Sequence, residues 1–249
     1  MMEKTTHNRP RRRNLTTLFL GIAAAALFPA CSAAVSGRLE PDSSGSLSLK
    51  AALEPKTAAL IRSFLALQGG KRGPVLDSRS INRSLGAAPG IASAALKNTS
   101  PEAIEGTIAV STVGDFLSSS SGGRRLITYE PAAGRGGTMA IHLDRDSGPE
   151  ILKLASGEAA DYLSVLMAPL ATGETLSRIE YLELVAAVYG EGVAAEIAAA
   201  RFTLTLEVPG TVTSVKGGRF SGRQARFDIP MTGILVLETP LEYEVVWAP

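Results

Sequence analysis

The sequence holds little of the side-chain chemistry on which many enzymes and metal sites depend. Its 249 residues include one cysteine, Cys31, and two histidines, His7 and His142. A single thiol cannot form an intramolecular disulfide, and so few sulfur and imidazole ligands exclude most zinc sites. Hydrophobic residues make up 45% of the chain, which is enough for a packed core. We therefore expect a fold without disulfides, metal or cofactor.

Clustered positive charge is also scarce beyond the start of the chain. Residues 1–30 contain five of the 25 Lys and Arg residues and one of the 24 acids, so the remainder carries a formal charge of about −3. Nucleic-acid binding needs Lys and Arg gathered on one face. The composition therefore predicts no nucleic-acid partner.

The first 30 residues have the pattern of an export signal. A basic segment at residues 1–13 is followed by the uncharged, apolar run LTTLFLGIAAAALF at residues 15–28. This run is shorter than the ~20 residues that a membrane-spanning helix needs. Residues 1–30 are therefore predicted to be a secretory signal peptide.

The end of this signal contains the only cysteine. Residues 27–31, Leu-Phe-Pro-Ala-Cys, resemble a lipobox, which implies that Cys31 receives a diacylglyceryl group and palmitate-type acyl chains and becomes the first residue after cleavage. The alternative is ordinary cleavage after Ser32-Ala33-Ala34, which would remove Cys31. Residues 12–15, Arg-Arg-Asn-Leu, also resemble a twin-arginine signal, so the export route stays open.

No later run is long and apolar enough to span a bilayer, so the expectation of membrane attachment depends on Cys31 alone. Residues 31–249 are predicted to form a single extracytoplasmic domain, tethered to a bacterial membrane by the lipid.

The first half of this domain is predicted to be mainly strands. Apolar and polar residues alternate at 35–39 and 47–53 around a turn at 41–45, which indicates a hairpin. Helical spacing follows between Pro55 and Gly69. A short helix at 78–85, strands at 91–96, 105–112, 126–130 and 139–144, and a flexible Ser/Gly loop at 118–123 are then expected.

Residues 149–201 are predicted to be a helical insert. One helix face is marked by Tyr162, Leu163, Leu166, Met167 and Leu170. Ser177 and Glu180 have capping-box spacing. The helix that they begin is expected to bury Ile179, Leu182, Val185, Ala186 and Tyr189, and an alanine-rich helix at 193–200 should follow it.

The last fifty residues return to a strand pattern. Strands are predicted at 202–208, 212–216, 224–229, 234–238 and 241–247. The domain should therefore be α+β. We expect a mainly antiparallel sheet, built from the N-terminal hairpin and the C-terminal meander, with the helical middle segment packed on one face.

Two C-terminal segments carry a family resemblance. Residues 209–213, Pro-Gly-Thr-Val-Thr, end one strand, and residues 216–222, Lys-Gly-Gly-Arg-Phe-Ser-Gly, form a glycine-rich turn. With the order of hairpin, helical middle and meander, the chain resembles the LppM-type family of bacterial exported lipoproteins. The resemblance implies a membrane-tethered extracytoplasmic domain without an assigned reaction.

His142 and Asp144 are the most suggestive pair for catalysis. They lie two residues apart on a predicted strand, so their side chains should share a face. A His beside an Asp could begin a nucleophilic triad. However, the sequence has no nucleophile elbow of the Gly-x-Ser-x-Gly type, and the alternative is a solvated strand face with Arg145 and Asp146.

The sequence gives little support to two other kinds of site. A glycosidase needs two carboxylates facing each other across a cleft. The spacing of the available acids instead indicates helix caps and solvated faces; these acids are Asp144, Glu150, Glu174, Glu180 and Glu183. Residues 134–137, Gly-Arg-Gly-Gly, lack the remaining residues of a phosphate-binding loop and predict a turn.

The leading hypothesis is therefore a non-enzymatic lipoprotein domain that binds an envelope protein, lipid or glycan at the membrane surface. The first alternative is a carboxylate-dependent hydrolase of envelope polymers. The second is a carrier whose helices leave a pocket over the sheet for an apolar ligand. The sequence identifies no catalytic residue.

Overall fold

A computed structural model of the protein describes residues 31–67, 73–118, 126–148, 166–167 and 172–249. The predicted export signal, most of the Ser/Gly loop and most of the helical insert before residue 172 lie outside the described residues. Of the helix face predicted around Tyr162, only Leu166 and Met167 are described, and both are buried.

The described elements follow the predicted order except at residues 113–118, 219–221 and 231–236, where the structure has a helix, a strand and a helix that were not predicted. The strands are β1 (Cys31–Leu39), β2 (Gly45–Leu53), β3 (Ile91–Ser100), β4 (Ala103–Val110), β5 (Ile127–Pro131), β6 (Gly137–Leu143), β7 (Arg201–Glu207), β8 (Thr211–Lys216), β9 (Arg219–Ser221), β10 (Gln224–Pro230) and β11 (Leu241–Ala248). The helices are α1 (Pro55–Leu67), α2 (Ser78–Gly86), α3 (Val113–Ser118), α4 (Arg178–Tyr189), α5 (Glu191–Ala199) and α6 (Met231–Val236).

The predicted N-terminal hairpin is confirmed. Strands β1 and β2 pair antiparallel from Cys31 opposite Leu53 to Leu39 opposite Gly45. The turn between them is stabilised by Asp42, whose carboxylate accepts hydrogen bonds from the backbone N–H and the hydroxyl of Ser44 at 3.0 and 2.6 Å. Alternate residues of both strands are buried, so the hairpin has one face in the core.

The fold is α+β and mainly antiparallel, as predicted. A seven-stranded sheet has the order β3-β4-β2-β1-β7-β10-β9, and within it only β1 and β7 pair in parallel. A second sheet of four strands has the order β5-β6-β11-β8. The C-terminal strands therefore divide between two sheets. The first change of sheet, between β7 and β8, falls at Gly210, where a Cβ would lie 2.0 Å from the carbonyl oxygen of Ala248.

One face of the seven-stranded sheet forms much of the core. Its buried residues include Val35 on β1, Leu49 on β2 and Phe227 on β10. Helices α1 and α5 contribute Ala58, Ile61, Val193, Ala194 and Ile197 to the same cluster. Hydrophobic contact between this sheet face and the helices therefore provides the main stabilisation of the fold.

The predicted strand at 234–238 is wrong. Residues Met231–Val236 form α6, and all of them are buried. A short run of apolar residues fits a buried strand or a buried helix equally well, and tertiary contacts decide between them. Here the N–H of Met231 donates to the carbonyl of Ala200, and Leu237 ends the helix in the left-handed conformation with φ of 48°.

The prediction that Ile179 is buried is also wrong. Its side chain is 71% exposed, whereas Tyr181 and Val185 on the same helix are 2% and 3% exposed. At 3.6 residues per turn, Ile179 lies about 120° around α4 from Val185, outside the face that meets the core. None of the helices in the described ranges is both long and apolar enough to cross a bilayer.

Candidate functional site

Cys31, the predicted lipidation site, is the first residue of β1. This strand lies inside the seven-stranded sheet, where β2 pairs with one edge and β7 with the other. The parallel pairing with β7 begins at Ala33, which lies opposite Phe202. The position predicted to carry the lipid is therefore joined to the centre of the sheet without an intervening linker.

The face of this sheet opposite the core is solvent-exposed on β1 and β2. We call it the open face; on β1 it presents Ser32, Ala34, Ser36 and Arg38, all exposed. Neighbouring strands continue it with small, polar or charged side chains at the residues paired with these. The described strands place no Leu, Ile, Val or aromatic side chain on the open face.

A shallow groove of about 330 Å³ lies on the open face next to Cys31. Its lining includes Ser32 and Ala34 of β1, Lys50 of β2, Glu105 of β4 and Thr203 of β7. The floor is formed by alanines and the rim by hydroxyl and charged groups. A ligand held against the sheet would meet both the alanines and the polar groups of this lining.

Positive charge exceeds negative charge on the open face. Its cations are Arg38, Lys50, Lys97, Arg201, Arg219 and Arg226, and its acids are Glu105, Glu207 and Asp228. Each acid is paired with at least one of the cations. The distances are 3.2 Å for Lys97–Glu105, 3.0 Å for Arg38–Glu207, and 2.9 and 3.2 Å for Asp228 with Arg226 and Arg219.

Asp228 shows how this surface holds a carboxylate. Arg226 donates to both of its oxygens, at 2.9 and 3.2 Å, and Thr203 donates to Oδ1 at 2.9 Å. The hydrogen bonds from Arg226 and then Thr203 lower the pKa of Asp228 from its usual value. Lys50 and Arg201 remain without a carboxylate partner among the described residues.

The structure brings His142 and Asp144 together, at 3.2 Å between Nε2 and Oδ2. Asp144 also accepts hydrogen bonds at 2.7 Å from the backbone N–H and the hydroxyl of Ser147, and these lower its pKa to about 2, with a smaller contribution from His142. The carboxylate therefore lies between the imidazole and the hydroxyl. A nucleophilic triad requires the imidazole between the other two groups.

The surroundings of His142 are those of an exposed ion network. Its side chain is 54% exposed, and Nδ1 lies 3.6 Å from Glu242 on β11, which is paired in turn with Lys216 on β8. Cross-strand charge pairs of this kind stabilise the solvated face of a sheet. The arrangement does not form a closed catalytic cleft.

The remaining predicted acids do not converge. Glu180 accepts from the N–H of Ser177 at 2.8 Å, and Ser177 Oγ accepts from the N–H of Glu180 at 3.2 Å, which confirms the predicted capping box. The hydrogen bonds from Ser177 lower the pKa of Glu180. Glu183 is exposed on α4, and Glu150 lies outside the described residues. Within the described ranges, no cluster of His, Cys, Asp and Glu is arranged to hold a metal ion.

The Gly-Arg-Gly-Gly segment at 134–137 forms the predicted turn. The N–H of Ala132 donates to the carbonyl of Gly136 at 2.9 Å, and the turn joins β5 to β6. Its geometry is that of a strand connection.

Lys50 and Arg201 are the residues of interest that the sequence did not single out. Both stand at polar positions of alternating strands, and such positions are ordinarily solvated. Lys50 lies opposite Ala34 on β1, and Ala34 lies opposite Thr203, close to Arg201 on β7. No local motif could have brought these residues together, because they are some 150 positions apart in sequence.

Comparison with known proteins gives one distant resemblance. No protein-family model and no curated protein matches the chain. Among solved structures, the chain resembles the NMR structure of the folded domain of the LppM protein from Mycobacterium tuberculosis. Sequence identity is 14%, the match covers 88% of this chain and 89% of that one, and the TM-score is 0.39. At these values the resemblance concerns the fold at a distance and does not extend to function.

Proposed function

We propose that this protein is a non-enzymatic, extracytoplasmic binding domain, tethered to a bacterial membrane through a lipid on Cys31. The observation that carries the proposal is the position of the groove. Ser32 and Ala34, which line it, follow directly after the predicted lipid attachment site on the same strand.

No linker separates the groove from Cys31, the residue proposed to carry the lipid. A strand rises about 3.3 Å per residue, so Ala34 lies roughly 10 Å along β1 from Cys31. A lipid on Cys31 would therefore hold the groove close to the membrane surface. A ligand bound there would be captured within the envelope layer next to the bilayer.

The lining of the groove supports binding in preference to hydrolysis. Glu105 is its one carboxylate, and this residue is paired with Lys97 at 3.2 Å. Hydrolysis of a glycosidic bond needs two carboxyl groups on opposite sides of the scissile bond. The groove also lies on the open face, so it is not the space between helices and sheet that an apolar-ligand carrier would use.

Replacement of Cys31 tests the anchor. We expect the wild-type protein, expressed in a bacterial host with a lipoprotein pathway, to sediment with membranes and to carry the mass of an acylated N-terminal cysteine. Cys31→Ser should remove the acyl mass and, because cleavage before residue 31 requires the lipidated cysteine, leave residues 1–30 attached. Ser63→Ala, an exposed change on α1, is the matched control and should behave as wild type. A Cys31→Ser protein with the same mass as the wild type, apart from the substitution itself, would contradict the proposal.

A further inference from the structure

We propose that the open face binds a linear acidic glycan, whose carboxylate groups meet its arginine and lysine side chains while its hydroxyls meet a row of Ser and Thr residues. The inference rests on the proposed binding function and names the ligand class. The glycan chain would lie across the strands, with the groove beside Cys31 at one border of the contact area.

A continuous row of polar side chains crosses the open face. Successive register pairs join residues on β4, β2, β1, β7, β10 and β9, and these residues are Thr107, Ser48, Ser36, Thr205, Arg226 and Arg219. With about 4.8 Å between neighbouring strands, the row extends over roughly 24 Å. A row of this length presents regularly spaced groups to an extended polymer.

The four hydroxyl groups of this row are available to a ligand. Thr107, Ser48 and Ser36 are exposed and Thr205 is half-buried, and their side chains make no hydrogen bond to the described part of the protein. Thr203, two residues before Thr205 on β7, instead donates to Asp228. Hydroxyl groups both donate and accept, so they match the hydroxyls of a sugar chain.

Exposed hydroxyl groups would also suit a face that contacts only water. The distribution of charge is what favours a ligand on the open face. The chain after residue 30 is net acidic, yet the open face has six cations and three acids, and each acid is already paired. At the groove, Lys50 has no carboxylate partner among the described residues, and Arg201 donates only to the backbone carbonyls of Ala198 and Ala200, at 2.7 and 2.8 Å. A partner with negative groups would complete the charge balance.

The form of the cationic groups favours carboxylates. Arg226 and Arg219 already surround the carboxylate of Asp228, and Arg226 does so with two nitrogens. A guanidinium group offers a planar fork that matches a carboxylate. Acidic sugars carry this group on the ring, so the same recognition extends to a glycan.

The open face does not suit insertion into a bilayer. Surfaces that enter the lipid interface present aromatic or large aliphatic side chains beside their basic residues. The described strands supply none to this face, and the exposed Phe220 on β9 lies opposite the buried Ala225, on the core side of the sheet. A hydrated polymer is therefore the better occupant.

Binding to polygalacturonate, a linear polymer of a carboxylated sugar, tests the proposal. The full chain in detergent should bind it with an affinity that falls as salt is added, and it should not bind neutral dextran. The double variant Lys50→Gln, Arg219→Gln should bind about tenfold more weakly, since two cationic contacts are removed. Arg79→Gln, Arg83→Gln on α2 removes the same charge from another surface and should bind as wild type.

A second variant separates hydroxyl recognition from charge. The double variant Ser36→Ala, Ser48→Ala keeps the net charge and should weaken binding severalfold, with the circular dichroism spectrum unchanged.

No binding of wild type to polygalacturonate, or equal loss of binding in the α2 control, would overturn the glycan proposal. Binding to phosphatidylglycerol vesicles without binding to the polymer would also overturn it, because the open face would then bind the membrane surface. Binding to the polymer is measured in detergent, whereas anchoring is measured by fractionation. A negative result in one experiment therefore does not contradict the other proposal.

Discussion

The hydroxyl group of Tyr181 on α4 is buried without a hydrogen-bond partner among the described residues. Burial raises the pKa of Tyr181 far above its ordinary value, because a charged phenolate would be poorly solvated there. A buried polar group without a partner reduces stability by about 1–3 kcal/mol. Tyr181 therefore contributes a well-packed ring and an unfavourable hydroxyl.

Removing that hydroxyl should stabilise the protein. We expect Tyr181→Phe to raise the free energy of unfolding by about 1 kcal/mol, measured by urea denaturation. Tyr129→Phe is the matched control, because the Tyr129 hydroxyl is 2.9 Å from Ser43 Oγ and its removal breaks a hydrogen bond. A loss of stability in Tyr181→Phe would show that the hydroxyl is satisfied in solution.

Single-residue predictions from sequence succeeded where the signal is local. The Ser177 and Glu180 capping box depends on two residues three positions apart, and the structure confirms it. The closeness of His142 and Asp144 follows from the two-residue repeat of a strand. The position of Ile179 could not be found this way, because the direction in which a helix meets the core depends on distant partners.

Helix α1 begins at a contact that comes from another helix. The carboxylate of Glu196 on α5 accepts hydrogen bonds from the N–H groups of Lys56 and Thr57, at 3.0 and 2.8 Å, and from the Thr57 hydroxyl. The first N–H groups of a helix have no partner within the helix, and a negative charge there also meets the favourable end of its dipole. Glu196 thus joins two elements that are 139 positions apart in sequence.

Loss of this contact should be costly. We expect Glu196→Ala to lower the free energy of unfolding by about 2 kcal/mol, because two backbone groups and one hydroxyl lose a charged acceptor together. Glu183→Ala, an exposed acid on α4, should change stability by less than about 0.5 kcal/mol. If the two substitutions changed the free energy of unfolding equally in chemical denaturation, the hydrogen bonds of Glu196 to α1 would not contribute to stability.

Element types were predictable wherever the polarity repeat is strong. The β1–β2 hairpin and α1 have clear periods of two and of about 3.6 residues. Helix α6 was missed because the continuous apolar run at residues 234–237 contains no polar position from which a period could be read. The partition of the C-terminal strands into two sheets was missed for a different reason, since pairing between distant strands leaves no local signal.

At the scale of the molecule, the proposed anchor and the core share one strand. β1 pairs on both sides and supplies Ala33, Val35 and Leu39 to the core. Truncation of residues 1–30 should therefore leave a cooperatively folding domain, whereas truncation of residues 1–39 should abolish the unfolding transition in calorimetry. A cooperative transition in the shorter chain would mean that β2 and β7 can pair without β1.

The distribution of charge is also a property of the whole molecule. A formal charge of about −3 after residue 30 gave no sign of a cationic surface, because composition sums over all faces. The cations of the open face come from strands spread between Arg38 and Arg226. Only the strand order gathers them, so the candidate ligand surface could not be read from the sequence.

The parallel pairing of β1 with β7 also determines when the protein can finish folding. Arg38 and Glu207, which form an ion pair across these strands, are 169 positions apart in the chain. Until residues 201–207 have emerged during synthesis, one edge of the completed β1–β2 hairpin has no strand to pair with. Contacts of such long sequence separation slow folding, and an unpaired strand edge can associate with other chains. The β1 edge of the hairpin therefore stays open to other chains until β7 pairs with it.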